Sequence, residues 1–257
     1  MFKHFIRKIY VIIPLIVLFY PIKAERPMFT DDPFVSPHRV LTFEIGNHFD
    51  MLRSAERPAR YINWFDINFV YGIAVDHEVS IHIPAGMIVY ESGFADRSEF
   101  GSDDLSIAIK RVWHASDELW GIGIEGGLSF PIESSPVLGS DQESFWINTM
   151  GDYGINNKWI LRGALGFVVP FDTVNDGSVM AGIAARINIH DIHFGFIELY
   201  TEAPVSSTGE EFPLGLMFGG GIGILNNTIL DAGILFGLTD STVFPGTGIS
   251  AGLTIEM

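Results

Sequence analysis

The sequence predicts an all-β fold, a single twelve-stranded antiparallel transmembrane β-barrel of the outer-membrane type, and three observations predict it. Apolar and polar residues alternate with period two over unusually long runs, the connections between runs are alternately long and short, and aromatic residues gather beside the short ones. The run Leu119–Ile132 shows the pattern best, with Trp120, Ile122, Ile124, Leu128 and Phe130 on one face and Gly121, Gly123, Glu125, Gly127 and Ser129 on the other. Strict alternation is the signature of a strand with two unlike faces. Its length exceeds the five or six residues usual in soluble sheets and suits a tilted strand crossing a bilayer, which takes about 9–11 residues.

At the N-terminus, Lys3, Arg7 and Lys8 precede the apolar run Ile9–Tyr20, and Ala24 stands at a small-residue cleavage position. This reads as a signal peptide over residues 1–24. Removing it takes away four of the 15 Lys+Arg and none of the 31 Asp+Glu, deepening the formal charge from −16 to −20. So acidic a chain makes nucleic acid an unsuitable partner. A 47% hydrophobic content alongside that charge requires the two to be sorted onto separate faces, as alternating strands do. With no cysteine in the chain, hydrogen-bonded closure must hold an exported fold together without disulfides. Residues 25–37, with three prolines and the pair Asp31-Asp32, form a Pro-rich periplasmic segment expected to tuck under or into the barrel mouth. Residues 38–257 form the barrel.

The strands follow in order. The first, His38–Leu52, sets Leu41, Phe43 and Ile45 against Glu44 and His48; the second, Arg60–Ile73, sets Phe65, Ile67 and Phe69 against Asp66 and Asn68. Glu78–Tyr90 sets Val79, Ile81 and Ile83 against Glu78 and His82, and Asp104–Trp113 sets Ile107 and Ile109 against Lys110. Leu119–Ile132 is the fifth; the sixth, Ser144–Tyr153, alternates poorly. Trp159–Phe171 and Val179–Ile189 place Arg162 and Arg186 opposite their apolar faces. The ninth, Ile192–Thr201, changes phase near Phe196-Ile197-Glu198 and suggests a bulge there. Leu214–Ile224, Leu230–Leu238 and Gly248–Met257 complete the set.

Connections after odd-numbered strands are long and polar, among them Arg53–Ala59, Glu91–Asp103 and Glu202–Pro213, whereas those after even-numbered strands are tight, such as Ala74–His77 and His190-Asp191. That asymmetry fits an outer-membrane barrel with a periplasmic N-terminus. Tyr71, Trp113, Trp120, Tyr153 and Trp159 all fall beside the short turns, as an interfacial girdle requires. Arg111 is the one charge on the outward faces of the strands other than the ninth, close enough to a strand end to reach the headgroups.

Motifs for chemistry are weak. Gly121, Gly123 and Gly126 spell G-x-G-x-x-G inside a strand, where a dinucleotide fingerprint would have to open a helix. Gly248–Gly252 spells G-x-S-x-G, with too little chain after it for a triad acid and histidine. His190 and His193 flank a turn without a third metal ligand, and Asp31-Asp32 and Asp103-Asp104 read as solvated loop carboxylates. No catalytic, cofactor or metal residue is assigned, and the chain is not expected to be an enzyme. The residues placed in the lumen are Glu44, Asp66, His82, Lys110, Glu125, Arg162, Arg186, Glu198 and Asp231, together with His48, Asn68, Glu78 and Glu256. They form either a salt-bridged filling or a pathway whose charges tune selectivity.

Arg26–Pro33 (RPMFTDDP), Tyr71-Gly72-Ile73 with the strand after it, Asp103–Lys110 (DDLSIAIK) and Gly127–Pro131 (GLSFP) resemble motifs of the transporter family labelled for the MetA pathway of phenol degradation. The resemblance spans most of the chain beyond residue 24 and implies an outer-membrane channel or transporter for small molecules, aromatic or poorly water-soluble ones among them. It departs at the C-terminus, where Met257 stands in place of the aromatic residue with which outer-membrane barrels tend to end. The expected partners are a small-molecule solute, outer-membrane lipid and lipopolysaccharide, and the outer-membrane assembly machinery. The alternative is a structural or surface-interaction barrel with a closed lumen and acidic extracellular loops.

Overall fold

The computed structural model describes residues 33–54, 57–90, 97–102, 104–115, 119–132, 142–171, 177–190, 193–205, 213–239 and 246–257. The predicted signal peptide and the pair Asp31-Asp32 lie outside them. The strands are β1 (Leu41–Ser54), β2 (Arg57–Ala74), β3 (His77–Tyr90), β4 (Arg97–Ser102), β5 (Leu105–His114), β6 (Trp120–Phe130), β7 (Ser144–Gly154), β8 (Trp159–Pro170), β9 (Ser178–His190), β10 (His193–Pro204), β11 (Gly215–Leu225), β12 (Thr228–Gly237) and β13 (Thr247–Glu256).

Each strand pairs antiparallel with its neighbours, β1 pairs with β13 as well as β2, and the sheet closes on itself. Ala85–Tyr90 of β3 pairs with β4 and His77–His82 with β5, so β4 and β5 are two parts of one stave. The result is a closed 12-stranded antiparallel barrel. Closure gives the ladders a neighbour on both sides, except along the far edge of β4, which pairs with β3 alone among the described residues; paired backbone is the condition for crossing hydrocarbon with strands. Met257 takes part, its N–H donating to the Leu41 carbonyl at 2.8 Å while Leu41 N–H donates to the Met257 carbonyl at 3.1 Å.

Three details differ from the sequence reading. The stretch Glu91–Asp103, expected to be loop, contains β4; likewise β1 and β2 pair out to Ser54 and Arg57, well into the expected loop Arg53–Ala59. The irregularity in β10 lies at His193/Phe194 rather than at Phe196–Glu198, through which pairing is continuous. The apparent change of phase there arises because Phe194, Phe196 and Tyr200 are buried inside the barrel with Glu198, while Ile197 faces out.

The outer surface carries the apolar set. Tyr71, Trp113, Trp120, Tyr153 and Trp159 are exposed near one end, where Val75-Asp76 turns β2 into β3 and Ile155–Lys158 turns β7 into β8. Arg111 faces outward at that end, its guanidinium 4.8 Å from the Trp113 ring centroid and its Nε 3.7 Å from Asp76. Asp76 also takes a 2.7 Å hydrogen bond with His77 Nδ1; that bond, with help from the nearby His77 and Arg111 charges, holds its carboxyl below the ordinary value of 3.8.

Candidate functional site

The inward faces carry the candidate site, and period two decides which residues reach it. Glu44, Asp66, His82, Lys110, Glu125, Arg162, Arg186, Glu198 and Asp231 all lie on inward strand positions. They do not form one constellation but divide among three parts of the wall.

On β1, β2 and β3, the Asp66 carboxylate lies 3.6 Å from His82 Nε2 and 3.9 Å from His48 Nε2. Asn68 Nδ2 donates to Glu44 at 3.0 Å. This group is wet: the His82, His48 and Asp66 side chains are 39%, 29% and 15% exposed.

On β3, β5, β7 and β8 the charges are sealed in pairs. Arg162 donates from Nε to Asp152 Oδ1 at 2.8 Å and from Nη2 to Oδ2 at 2.9 Å, with side-chain exposures of 0% and 7%. Lys110 Nζ lies 3.9 Å from Glu78, both nearly buried, and Glu125 stands opposite Lys110 in the register. A forked, desolvated Arg–carboxylate pair is a strong and geometrically fixed contact.

On β10, β11 and β12 the wall is apolar. Phe194, Phe196, Tyr200, Met217, Ile229 and Leu235 form one buried cluster, with Glu198 among them on β10 and Asp231 on β12. Arg186 sits over the Phe194 ring at 4.2 Å. The rings lie flat because β11 gives them room: a Cβ on Gly219 would come within 2.6 Å of the Phe196 ring, and one on Gly221 within 2.5 Å of Phe194. The sequence reading missed this cluster. Its one available signal was the pairing of an aromatic-rich strand with the run Gly219-Gly220-Gly221.

The chain preceding β1 enters the barrel at the short-turn end. Ser36 N–H donates to Glu78 Oε2 at 2.5 Å, and its hydroxyl lies 3.0 Å from that of Thr42. Phe34 stacks on His114 with ring centroids 5.2 Å apart. Pro33 is buried, 3.1 Å from where a Cβ on Gly121 would stand and 3.3 Å from one on Gly123. Two glycines of the apparent dinucleotide motif thus make space for this segment. A turn follows in which Val40 N–H donates to the Pro37 carbonyl at 2.9 Å and Arg39 takes a left-handed φ of 67°. Arg39 N–H then donates to the Gly72 carbonyl at 2.8 Å, tying the turn to β2.

No family model and no curated protein matches the chain. Solved structures do. An outer-membrane channel from Pseudomonas putida F1 superposes with a TM-score of 0.76 at 10% identity, covering 91% of this chain and 100% of that one. The NanC porin gives 0.56 at 7% identity, covering 84% and 100%, and the KdgM porin gives 0.55 at 7% identity, covering 82% and 98%. At such identities the likeness is one of fold: this chain has the barrel architecture that these outer-membrane channels and porins share.

Proposed function

We propose that this protein is an outer-membrane channel that passes small solutes through a narrow lumen, with residues 33–40 constricting its short-turn, periplasmic mouth. The observation that carries the reading is a closed barrel whose outside is apolar and whose inside keeps one exposed polar wall, that of Glu44, His48, Asp66 and His82. A barrel needing only a packed interior gains nothing from leaving ionisable groups wet. Twelve strands enclose more than the eight-stranded kind that side chains fill, and less than a porin. Residue 25 as the start of the exported chain, and lipid, lipopolysaccharide and the assembly machinery as its partners, belong to the same reading.

The solute class follows from the sequence resemblance to the phenol-degradation transporter family and from the buried aromatic cluster on β10–β12. Both favour small aromatic or poorly water-soluble molecules. Planar-bilayer recording of the refolded chain lacking residues 1–24, beside one also lacking 25–37, tests the reading. Discrete current steps, larger after the second deletion, are expected; silence from both inserted barrels refutes an ion-conducting path.

A second reading, a closed structural barrel, is favoured by the sealed Arg162–Asp152 and Lys110–Glu78 pairs and by the same aromatic cluster. Uptake of a small aromatic solute into liposomes separates the two.

A further inference from the structure

We infer that the water-filled path through the barrel runs along the β1–β3 wall, and that Asp66, supported by Glu44, is its charge filter, selecting cationic over anionic solutes. This rests on the channel reading above.

The support is the unequal exposure of the lumen charges. The cations Lys110 and Arg162 are 5% and 0% exposed and each faces a carboxylate, so neither presents its charge to a passing solute. Arg186 is laid over the Phe194 ring. On the β1–β3 wall water reaches Asp66, the two imidazoles beside it and Glu44, while Glu125 and Arg186 are half-buried elsewhere in the wall. Lys110 and Arg162 are therefore withdrawn from the lumen, Arg186 stands on the aromatic wall, and the wall that water reaches carries the acids Glu44 and Asp66.

The β13 side of the seam is sealed, which confines the path to the neighbouring wall. Across the seam on β13, Ser250 and Thr254 are 3% and 0% exposed, and their hydroxyls have no hydrogen-bond partner among the described residues. The register sets Ser250 opposite His48 and Thr254 opposite Glu44, and both point inward. At that exposure they stand behind the surface a solute meets, so the wetted oxygens of this wall are the carboxylates of Asp66 and Glu44. The strongly acidic chain, at −16 overall, adds long-range attraction of the same sign.

The test is the reversal potential of the refolded barrel in an asymmetric KCl gradient, at mildly alkaline pH, above the usual imidazole range. Wild type is expected to prefer K⁺ over Cl⁻. Asp66→Asn should lower the permeability ratio roughly tenfold, about threefold from the weaker attraction of K⁺ and about threefold from the weaker repulsion of Cl⁻, for one unit charge about 6 Å from the ion path in water. Asp66→Glu should keep the preference and Asp66→Lys should reverse it, with folding of each variant checked by heat-modifiable electrophoretic mobility. An anion preference in wild type, or currents whose selectivity ignores all three substitutions, overturns the inference and leaves the channel intact. Silence from every folded barrel overturns the channel reading and the filter with it.

Discussion

Arg162 invites a direct test, because its charge reads as a lumen group in the sequence and as a buried structural tie in the fold. Its fork to Asp152 has contacts of 2.8 and 2.9 Å with both side chains withdrawn from water. Replacing Arg162 by Met leaves a carboxylate in that site without its partner. Breaking a buried pair from one side costs about 3–5 kcal/mol, or about two to four powers of ten in the unfolding equilibrium. Asp152→Asn should cost a comparable amount. The double variant Arg162→Met with Asp152→Leu removes both charges together and should recover most of the loss, since an apolar pair of similar volume is often neutral or better. Urea unfolding of the refolded barrel in detergent, followed by tryptophan fluorescence, measures all three; Trp120 adjoins Tyr153 in the register, next to Asp152. A single-variant loss below about 1 kcal/mol, the range of exposed pairs, would refute the sealed-pair argument. So would a stable Arg162→Met barrel with altered charge selectivity, which would return Arg162 to the pathway.

Other consequences are more local. Gly221→Val drives a branched side chain into the Phe194 ring; a loss of about 1–3 kcal/mol is expected in the same unfolding assay, with Phe194→Ala in the same chain relieving part of it, and unchanged stability would show that the ring moves freely. At the outer short-turn end, Asp76 is held below 3.8 by the His77 hydrogen bond. A depressed carboxyl stabilises above its unfolded value and loses that contribution as pH falls through the folded one. The difference in melting temperature between wild type and Asp76→Asn should accordingly shrink in acid below the ordinary carboxylate range, and a difference that widens there contradicts the assignment.

The barrel was legible because the side-chain period is exact and membrane strands are long: errors at strand ends do not change which face a mid-strand residue occupies. All the predicted lumen residues consequently lie on inward positions. Alternation, however, says only in or out. Whether an inward Lys110 or Arg162 is open to solute depends on the register across strands, which sets Lys110 beside Glu78 and Arg162 beside Asp152. That information is non-local and no single strand contains it. The same limit explains β10, whose inward aromatics look like a slipped phase until Gly219 and Gly221 are seen opposite them. In β7 the poor alternation has a parallel cause, with Trp146 and Met150 facing in while Thr149 and Gly151 face out.

The constriction proposed at the short-turn mouth predicts gating. Residues 37–40 are tied to β2 by backbone bonds through Gly72, whereas Ser36 is held by the Glu78 carboxylate and the Thr42 hydroxyl. The part able to swing is thus residues 33–36, with its hinge where Ser36 joins the tied residues at Pro37. Glu78 serves two partners, taking the Ser36 N–H on Oε2 and facing Lys110 Nζ at 3.9 Å from Oε1. Substituting Glu78 by Gln weakens both, so by itself it confuses gating with stability. Ser36→Pro removes the backbone donor together with the hydroxyl's bonds to Thr42 and Val40, and leaves the Glu78–Lys110 pair in place; Ser36→Ala, which loses the hydroxyl alone, isolates the share of the backbone donor. A hydrogen bond to a charged group is worth about 1.5–3 kcal/mol, so its loss should raise the open probability roughly tenfold or more, up to saturation. In single-channel records Glu78→Gln and Ser36→Pro should dwell longer in the larger-conductance state, and only Glu78→Gln should also unfold at lower urea. If Ser36→Pro leaves the dwell times unchanged while deletion of residues 25–37 enlarges the current, the segment narrows the mouth without gating it. The hold must then reside in Pro33 on the glycines of β6 and Phe34 on His114.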